Sequence, residues 1–177
     1  FEENTKQLNL VGMGIGNVGE KFIEQIHQQK KFLKENLKIN LRVIALSNSR
    51  KMYFDEDGIS LKDWQFLLET GEDADQEKFI AAVKDLNLRN SIFLDITANE
   101  SVSKTYEHYL KRNIAVVTCN KIACSSEYDN YKKLKKLSQQ FNAPFLFETN
   151  VGAGLPIIDT VKNLVASGDK VNKIQAV

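Results

Sequence analysis

Three glycines with the spacing G-x-G-x-x-G are the residues of this sequence that point most directly to a chemistry. Gly14, Gly16 and Gly19 follow a short apolar segment at 8–11 and precede apolar residues at helical spacing from Phe22. In such a strand–turn–helix unit the first glycine permits a tight turn, the second lets the main chain approach a pyrophosphate, and the third lets the helix pack closely. The N–H groups at the start of the helix would face the phosphates. An ordinary glycine turn is the alternative, and both flanking elements favour the dinucleotide site.

A second group of polar residues follows the predicted strand Leu41–Leu46, which is apolar and rich in β-branched residues. The strand end reads Ser-Asn-Ser-Arg-Lys over 47–51 and contains no acid. An NAD-specific site would place an acidic residue here for the ribose 2′-OH. Small polar groups followed by two cations suit a 2′-phosphate instead, so Ser49, Arg50 and Lys51 predict NADP at least as well as NAD. A solvated basic turn is the alternative.

Lys121 is the candidate for catalysis, because it follows a strongly β-branched segment at 114–118 and stands beside Asn120. In a crevice, its ammonium could hold a carbonyl or hydroxyl oxygen or assist a proton transfer. A lysine in a solvated loop is the alternative. The segment 151–156, Val-Gly-Ala-Gly-Leu-Pro, is a further candidate that could form a phosphate nest or offer carbonyls to a cation, with a structural turn as its alternative.

Strands alternating with helices must position these residues. We predict further strands at 91–96 and 145–148, a first helix at 17–36, a helix that Asp75 caps, and a helix that begins near Ser101. Ser60 is predicted to cap a short helix carrying Trp64. This alternation predicts an α/β fold of the Rossmann type, a doubly wound and mainly parallel sheet with helices on both faces. The unusual segments then share the rim at the carboxyl ends of the strands, where open α/β sheets bind ligands.

Composition bounds the class of protein. The 177 residues are 42% hydrophobic, with 24 Lys plus Arg against 23 Asp plus Glu, which argues against nucleic acid as a partner. No apolar run approaches the ~18–20 residues that cross a membrane. Two cysteines and the lack of a signal peptide predict a cytoplasmic protein. The non-Met start and the apolar alternation at 171–177 predict that both ends were cut from a longer chain.

The motifs together resemble the nucleotide-binding domain of homoserine dehydrogenase. They are the glycine loop, the Ser49-Arg50 strand end, Asp95-Ile-Thr97, Thr118-Cys-Asn-Lys121 and the segment 148–156. The order and spacing of these motifs match the family, so the resemblance covers nearly the whole chain. The segment 52–76 and the non-Met start resemble the fused aspartokinase–homoserine dehydrogenase branch. Cys119 stands where alanine is usual in the family.

The resemblance implies NAD(P)-dependent interconversion of L-aspartate 4-semialdehyde and L-homoserine, in threonine and methionine biosynthesis. It implies pyrophosphate contacts at Ile15, Asn17 and Val18, the 2′-phosphate at Arg50 and Lys51, and the nicotinamide at Thr97. Lys121 would serve both nicotinamide and substrate. A monovalent cation such as Na⁺ would be held by main-chain oxygens of the last motif, at Glu148, Val151, Ala153 and Leu155.

The resemblance also divides the chain. Residues 1–155 would form the NAD(P)-binding domain, and 156–177 a helix and strand leading into a substrate and dimerisation domain absent from this sequence. The chain alone is therefore expected to be inactive, and the full-length parent is expected to be a homo-oligomer. The alternatives are a non-catalytic NAD(P)-sensing module, which would not need Lys121 or the segment 148–156, and another small-aldehyde dehydrogenase.

Overall fold

The computed structural model describes residues 6–16, 19–87, 89–97, 99–119 and 128–147. Seven strands of this part form one sheet in the order β4-β3-β2-β1-β5-β6-β7. The strands are β1 Lys6–Met13, β2 Ile39–Ser47, β3 Lys51–Phe54, β4 Glu72–Asp73, β5 Ser91–Asp95, β6 Ala115–Thr118 and β7 Phe145–Phe147. Pairing is parallel among β2, β1, β5, β6 and β7, while β3 and β4 are antiparallel additions at one edge. The predicted mainly parallel α/β sheet is confirmed.

Six helices are described. They are α1 Gly19–Leu37, α2 Trp64–Glu69, α3 Gln76–Leu86, α4 Glu100–Ser103, α5 Tyr106–Leu110 and α6 Tyr128–Gln140. The first helix forms because Phe22, Ile23 and Ile26 recur at helical spacing and bury one face against the sheet. Among the described residues, no helix combines the length and apolar character that a membrane crossing requires.

Two apolar cores cover the two faces of the sheet, as predicted for a doubly wound fold. One core contains Phe22 and Ile26 of α1 and also receives the partly buried Trp64 of α2. The other contains Phe79 of α3 and Tyr106 of α5, together with Leu134 of α6. Because both faces are covered, the central strands are largely buried, with β5 buried at every position.

The edge of the sheet differs from the sequence prediction, which had no strand between 47 and 91. Lys51–Phe54 pairs with Ala45–Ser47 of β2, and Glu72–Asp73 pairs with Lys51 and Met52. Both strands are short and polar or mixed, so neither has the alternation that identifies a strand from sequence. They are strands because β3 pairs with β2 and β4 pairs in turn with β3.

The predicted helix starts had mixed outcomes. Asp75 caps α3 as predicted, since its carboxylate accepts from Lys78 N at 3.2 Å. The prediction for Ser60 was wrong, because α2 begins after Asp63 without a side-chain cap, and the Ser60 hydroxyl donates to the Asp63 carboxylate at 3.3 Å. The predicted helix from Ser101 is two short helices, α4 and α5, of which α4 is capped by Asn99.

Candidate functional site

The site is built at the carboxyl ends of the parallel strands. The chain runs from β1 to β2 on one side and from β5 to β7 on the other, so the sheet order reverses between the neighbours β1 and β5. In an open α/β sheet, loops diverge at such a reversal and leave a crevice for a ligand. The glycine turn after β1 and the loop after β5 lie at this point, as the sequence predicted.

Gly14 is the residue that lets these two loops meet. Its φ is +92°, and a Cβ added there would lie 2.7 Å from both Thr97 N and Thr97 Cγ2. Ile96 N donates to Met13 O at 3.0 Å, which holds the loop after β5 against the turn. A side chain at Gly14 would therefore suffer both a strained backbone and a clash with main-chain atoms.

The other two glycines of the motif have different surroundings. A Cβ added at Gly16 would meet no atom of the described residues within 4 Å, so among those residues this peptide borders open space. A Cβ at Gly19 would lie 2.5 Å from Ile15 Cγ2 and 3.3 Å from Trp64 Cη2, so Gly19 allows close packing at the start of α1. An open peptide before a closely packed helix start fits a bound dinucleotide, because a pyrophosphate needs that space and the positive end of the helix.

Ile15, a predicted pyrophosphate contact, is tied to the end of β2. Its side chain is buried in the core, and its N–H donates to Ser47 O at 3.1 Å, beside the Gly14 N–H, which donates to the same oxygen at 2.9 Å. These hydrogen bonds tie the glycine turn to the end of β2 and occupy the two N–H groups. Asn17 and Val18, the other predicted pyrophosphate contacts, lie outside the described residues.

The turn after β2 holds the predicted 2′-phosphate residues. The Asn48 side chain accepts from Arg50 N at 2.8 Å and from Lys51 N at 2.6 Å, which fixes a tight turn between β2 and β3. Ser49 and Arg50 are exposed at its tip. Among the described residues the Arg50 guanidinium has no ion-pair partner.

Lys51 forms an ion pair with a carboxylate of the neighbouring strand β4. Its Nζ lies 2.8 Å from Asp73 Oδ1 across the β3–β4 pair. The hydrogen bond from Lys51, together with its charge, lowers the pKa of the Asp73 carboxyl below its usual range. The sequence placed Arg50 and Lys51 together as phosphate ligands, whereas the structure leaves Arg50 as the cation at this turn without a carboxylate partner among the described residues.

The loop after β5 is held by the buried carboxylate of Asp95, a residue that the sequence motif contained and to which sequence reasoning gave no role. Asp95 is fully buried, and its Oδ1 accepts from Thr97 N at 2.8 Å and from Thr97 Oγ1 at 2.6 Å. Its Oδ2 accepts from the hydroxyl of Tyr106, which also lies 2.7 Å from Thr118 Oγ1. The available signal was an aspartate at the end of an otherwise apolar strand.

Tyr109, on the same helix as Tyr106, contrasts with it. Its ring stacks on Phe93 with centroids 3.9 Å apart, and within the described part of the chain its buried hydroxyl has no hydrogen-bond partner. Burial, and then the negative charge of Asp95, raise the pKa of the Tyr109 hydroxyl far above its usual value. The two tyrosines are thus similar in burial and different in their hydrogen bonding.

Several predicted site residues fall outside the described part of the chain. These are Lys121 with its neighbour Asn120, the proposed cation ligands Glu148, Val151, Ala153 and Leu155, and the helix and strand predicted after Pro156. Cys119 is the last described residue before Lys121, and its N–H donates to Asp95 O at 2.8 Å. Within the described ranges, no cluster of three or more His, Cys, Asp or Glu side chains could hold a metal ion.

The fold and this rim define a nucleotide-binding domain of the doubly wound α/β class. The family model described as "Homoserine dehydrogenase, NAD binding domain" matches residues 14–148. The chain belongs to this family.

Relatives agree with that assignment, and a solved structure shares the fold. Bifunctional aspartokinase/homoserine dehydrogenase 1, chloroplastic, of Arabidopsis thaliana is 40% identical over 179 residues, covering 100% of this chain and 19% of that protein. The bifunctional enzyme of Haemophilus influenzae is 39% identical over 176 residues, covering 98% of this chain and 21% of the relative. The structure of a hyperthermophilic archaeal homoserine dehydrogenase in complex with NADPH has a TM-score of 0.63 at 22% identity, covering 81% of this chain and 44% of that one. The chain therefore spans about a fifth of the two bifunctional relatives.

Proposed function

We propose that this chain is the cofactor-binding part of an NAD(P)-dependent homoserine dehydrogenase, which interconverts L-aspartate 4-semialdehyde and L-homoserine. The observation that carries the proposal is the open peptide at Gly16, beside the contact between Gly14 and Thr97 at the reversal of the strand order. Membership of the homoserine dehydrogenase family supports the reaction and its substrate. The nicotinamide cofactor would supply or accept the hydride.

The residues of this chain would bind and orient the reactants. Arg50 would pair with a 2′-phosphate, and Thr97 would contact the nicotinamide half. Lys121 follows β6 by a few residues and would stabilise the negative charge that develops on the substrate carbonyl oxygen. Ser49 would add a small hydroxyl at the turn, while the ion pair with Asp73 reduces the part we assign to Lys51.

The remaining elements of the proposal concern the whole enzyme. Main-chain oxygens at Glu148, Val151, Ala153 and Leu155 would hold a monovalent cation, and residues after 155 would lead into a domain that supplies the facing wall of the active site. Hydride transfer needs the aldehyde fixed against the cofactor, so the 177-residue chain alone is expected to be inactive. We further propose that the enzyme is a homo-oligomer and lies in the cytoplasm. The low cysteine content supports the cytoplasmic location.

Cofactor titration tests the binding part of the proposal. Trp64 is the single tryptophan and lies beside Gly19 at the start of α1, so its fluorescence should respond to a bound nicotinamide nucleotide. Arg50→Ala should weaken NADPH binding about tenfold or more and leave NADH binding nearly unchanged, because a charge-assisted contact contributes about 1.5–3 kcal/mol.

Lys51→Ala is the matched control, with an expected smaller loss because Asp73 already engages that ammonium. Equal losses of NADPH and NADH affinity in Arg50→Ala would remove the 2′-phosphate role. Absence of binding by the unaltered chain for both nucleotides would overturn the proposed function.

A further inference from the structure

A chain of buried hydrogen bonds connects two segments of the candidate site. It runs from Thr118 at the end of β6, through Tyr106 of α5 and Asp95 at the end of β5, to Thr97. Thr118, Tyr106 and Asp95 are each 0% exposed, whereas Thr97 is partly exposed. The chain of bonds therefore starts in the core and ends at the crevice.

The direction of each hydrogen bond follows from the chemistry of the groups. A carboxylate has no hydrogen to donate, so the hydroxyls of Thr97 and Tyr106 both donate to Asp95. Tyr106 has one hydroxyl hydrogen, which is thus committed, and the Thr118 hydroxyl must donate to the Tyr106 oxygen over their 2.7 Å contact. Every donor in the chain points towards Asp95.

This polarity decides what Thr97 can offer to a ligand. Its hydroxyl hydrogen and its N–H are both held by Asp95, so the hydroxyl oxygen of this partly exposed residue is left as an acceptor. Asn99 N approaches the same oxygen at 3.3 Å, which is a long contact and leaves one lone pair for another donor. The amide NH₂ of a nicotinamide is a donor of the required kind.

We propose that Asp95 and Tyr106 are positioning residues that hold Thr97 as a hydrogen-bond acceptor for the carboxamide of the nicotinamide ring. The inference rests on the proposed function, and it adds a role for two buried residues that do not touch the cofactor. Their effect reaches the cofactor through the orientation of Thr97, because Asp95 fixes both the Thr97 main chain and its hydroxyl. The same geometry keeps Thr97 against Gly14 at the strand-order reversal.

Two tyrosines on one helix provide a matched pair of variants. Tyr106→Phe removes a hydroxyl bonded to Asp95, and Tyr109→Phe removes an equally buried hydroxyl that has no partner among the described residues. Affinity is measured by calorimetry for NADPH and for 2′-phospho-ADP-ribose, which lacks the nicotinamide ring. Tyr106→Phe should weaken NADPH binding about fivefold or more and change 2′-phospho-ADP-ribose binding less than about twofold. Tyr109→Phe should change neither.

A double-mutant cycle tests whether Tyr106 acts through Thr97. Thr97→Val removes the acceptor and should weaken NADPH binding alone, and adding Tyr106→Phe in that background should cost no further affinity. Thr118→Val keeps the side-chain volume and removes the donor to Tyr106, so it should weaken NADPH binding by about twofold through the loss of hydrogen-bond cooperativity. If Tyr106→Phe does not fold, Thr118→Val is used to test the inference instead.

Unchanged NADPH affinity in Tyr106→Phe, or in Thr118→Val if the former is unfolded, would overturn the inference while leaving the proposed function in place. Equal losses for both ligands, or a similar loss in Tyr109→Phe, would also overturn it, because those results describe a purely structural role. If the unaltered chain binds no NADPH, the proposed function fails and this inference fails with it.

Discussion

Substituting the glycines of the turn one at a time should separate their roles in folding from their roles in binding. Gly14→Ala places a methyl group 2.7 Å from Thr97 N and 2.8 Å from Ile96 C, with φ at +92°. Gly16→Ala places a methyl group where no atom of the described part of the chain lies within 4 Å. We expect the first variant to lose stability and the second to keep its stability and lose cofactor affinity.

The magnitude at Gly14 follows from two costs. A left-handed backbone costs a residue with a Cβ about 1–2 kcal/mol, and overpacking against atoms that cannot rotate away costs about 1–3 kcal/mol. The free energy of unfolding should therefore fall by about 2–5 kcal/mol, which lowers the Tm of a chain of this size by roughly 5–15 °C. Gly16→Ala should stay within about 0.5 kcal/mol of the unaltered chain.

Gly58→Ala separates the two costs at Gly14. Gly58 has φ of +110°, yet the nearest atoms that a Cβ there would meet are Arg42 Cβ at 3.6 Å and two further carbons of the same flexible side chain. This variant should lose only the backbone contribution of about 1–2 kcal/mol, and its NADPH affinity should be unchanged.

Thermal unfolding followed by circular dichroism, with an NADPH titration of each folded variant, provides the assay. Gly16→Ala should bind NADPH at least about tenfold more weakly, because its methyl group occupies the approach of the pyrophosphate. The reasoning is refuted if Gly14→Ala is no less stable than Gly58→Ala. Normal NADPH affinity in Gly16→Ala would show that the open space at this peptide is not where the phosphates bind.

Three further measurements test other parts of the structure and the proposal. In the full-length enzyme, Lys121→Ala should lower kcat by about 10²–10⁴ if the ammonium acts in the transition state. If the ammonium only anchors substrate, the variant should raise KM alone. Unchanged kinetics in a folded variant would show that Lys121 is an ordinary loop lysine. Asp75→Ala should cost about 1 kcal/mol by freeing Lys78 N, whereas Asp75→Ser should retain most of the cap, so equal losses of Tm would contradict the capping role. The hydrogen bond from Lys133 at 3.1 Å, and then the charge of Lys133, lower the pKa of Glu107 below its ordinary 4.5. This ion pair therefore stabilises the fold above pH 4.5, and its contribution disappears as the pH falls through the pKa of Glu107 in the folded protein. Lys133→Gln should raise the Glu107 pKa in an NMR titration, and an unchanged value would contradict the contact.

The sequence determined the elements whose signals are local. The strand, glycine turn and helix from 6 to 37 could be predicted because apolar periodicity and glycine spacing depend only on neighbouring residues. The same is true of the apolar strands β5 and β6 and of the Asp75 cap. Placing the polar segments at one rim also required only the rule that consecutive parallel strands end on the same side.

Tertiary structure alone decided the features that depend on partners distant in the chain. The strand β3 exists because β2 offers an edge to pair with, and β4 because β3 offers the next edge; their own residues carry no strand period. That pairing brings Lys51 against Asp73, a contact that the sequence does not indicate.

The same limit applies to the buried hydrogen bonds of the site. Tyr106 shares one helical face with Tyr109 and Leu110, and that spacing indicates its burial. The partner of its hydroxyl depends on where the ends of β5 and β6 lie in space, and Asp95 and Thr118 come from those two separate strands. A sequence pattern reports which face a side chain occupies, whereas the hydrogen bonds it makes there depend on residues brought close only by the folded sheet.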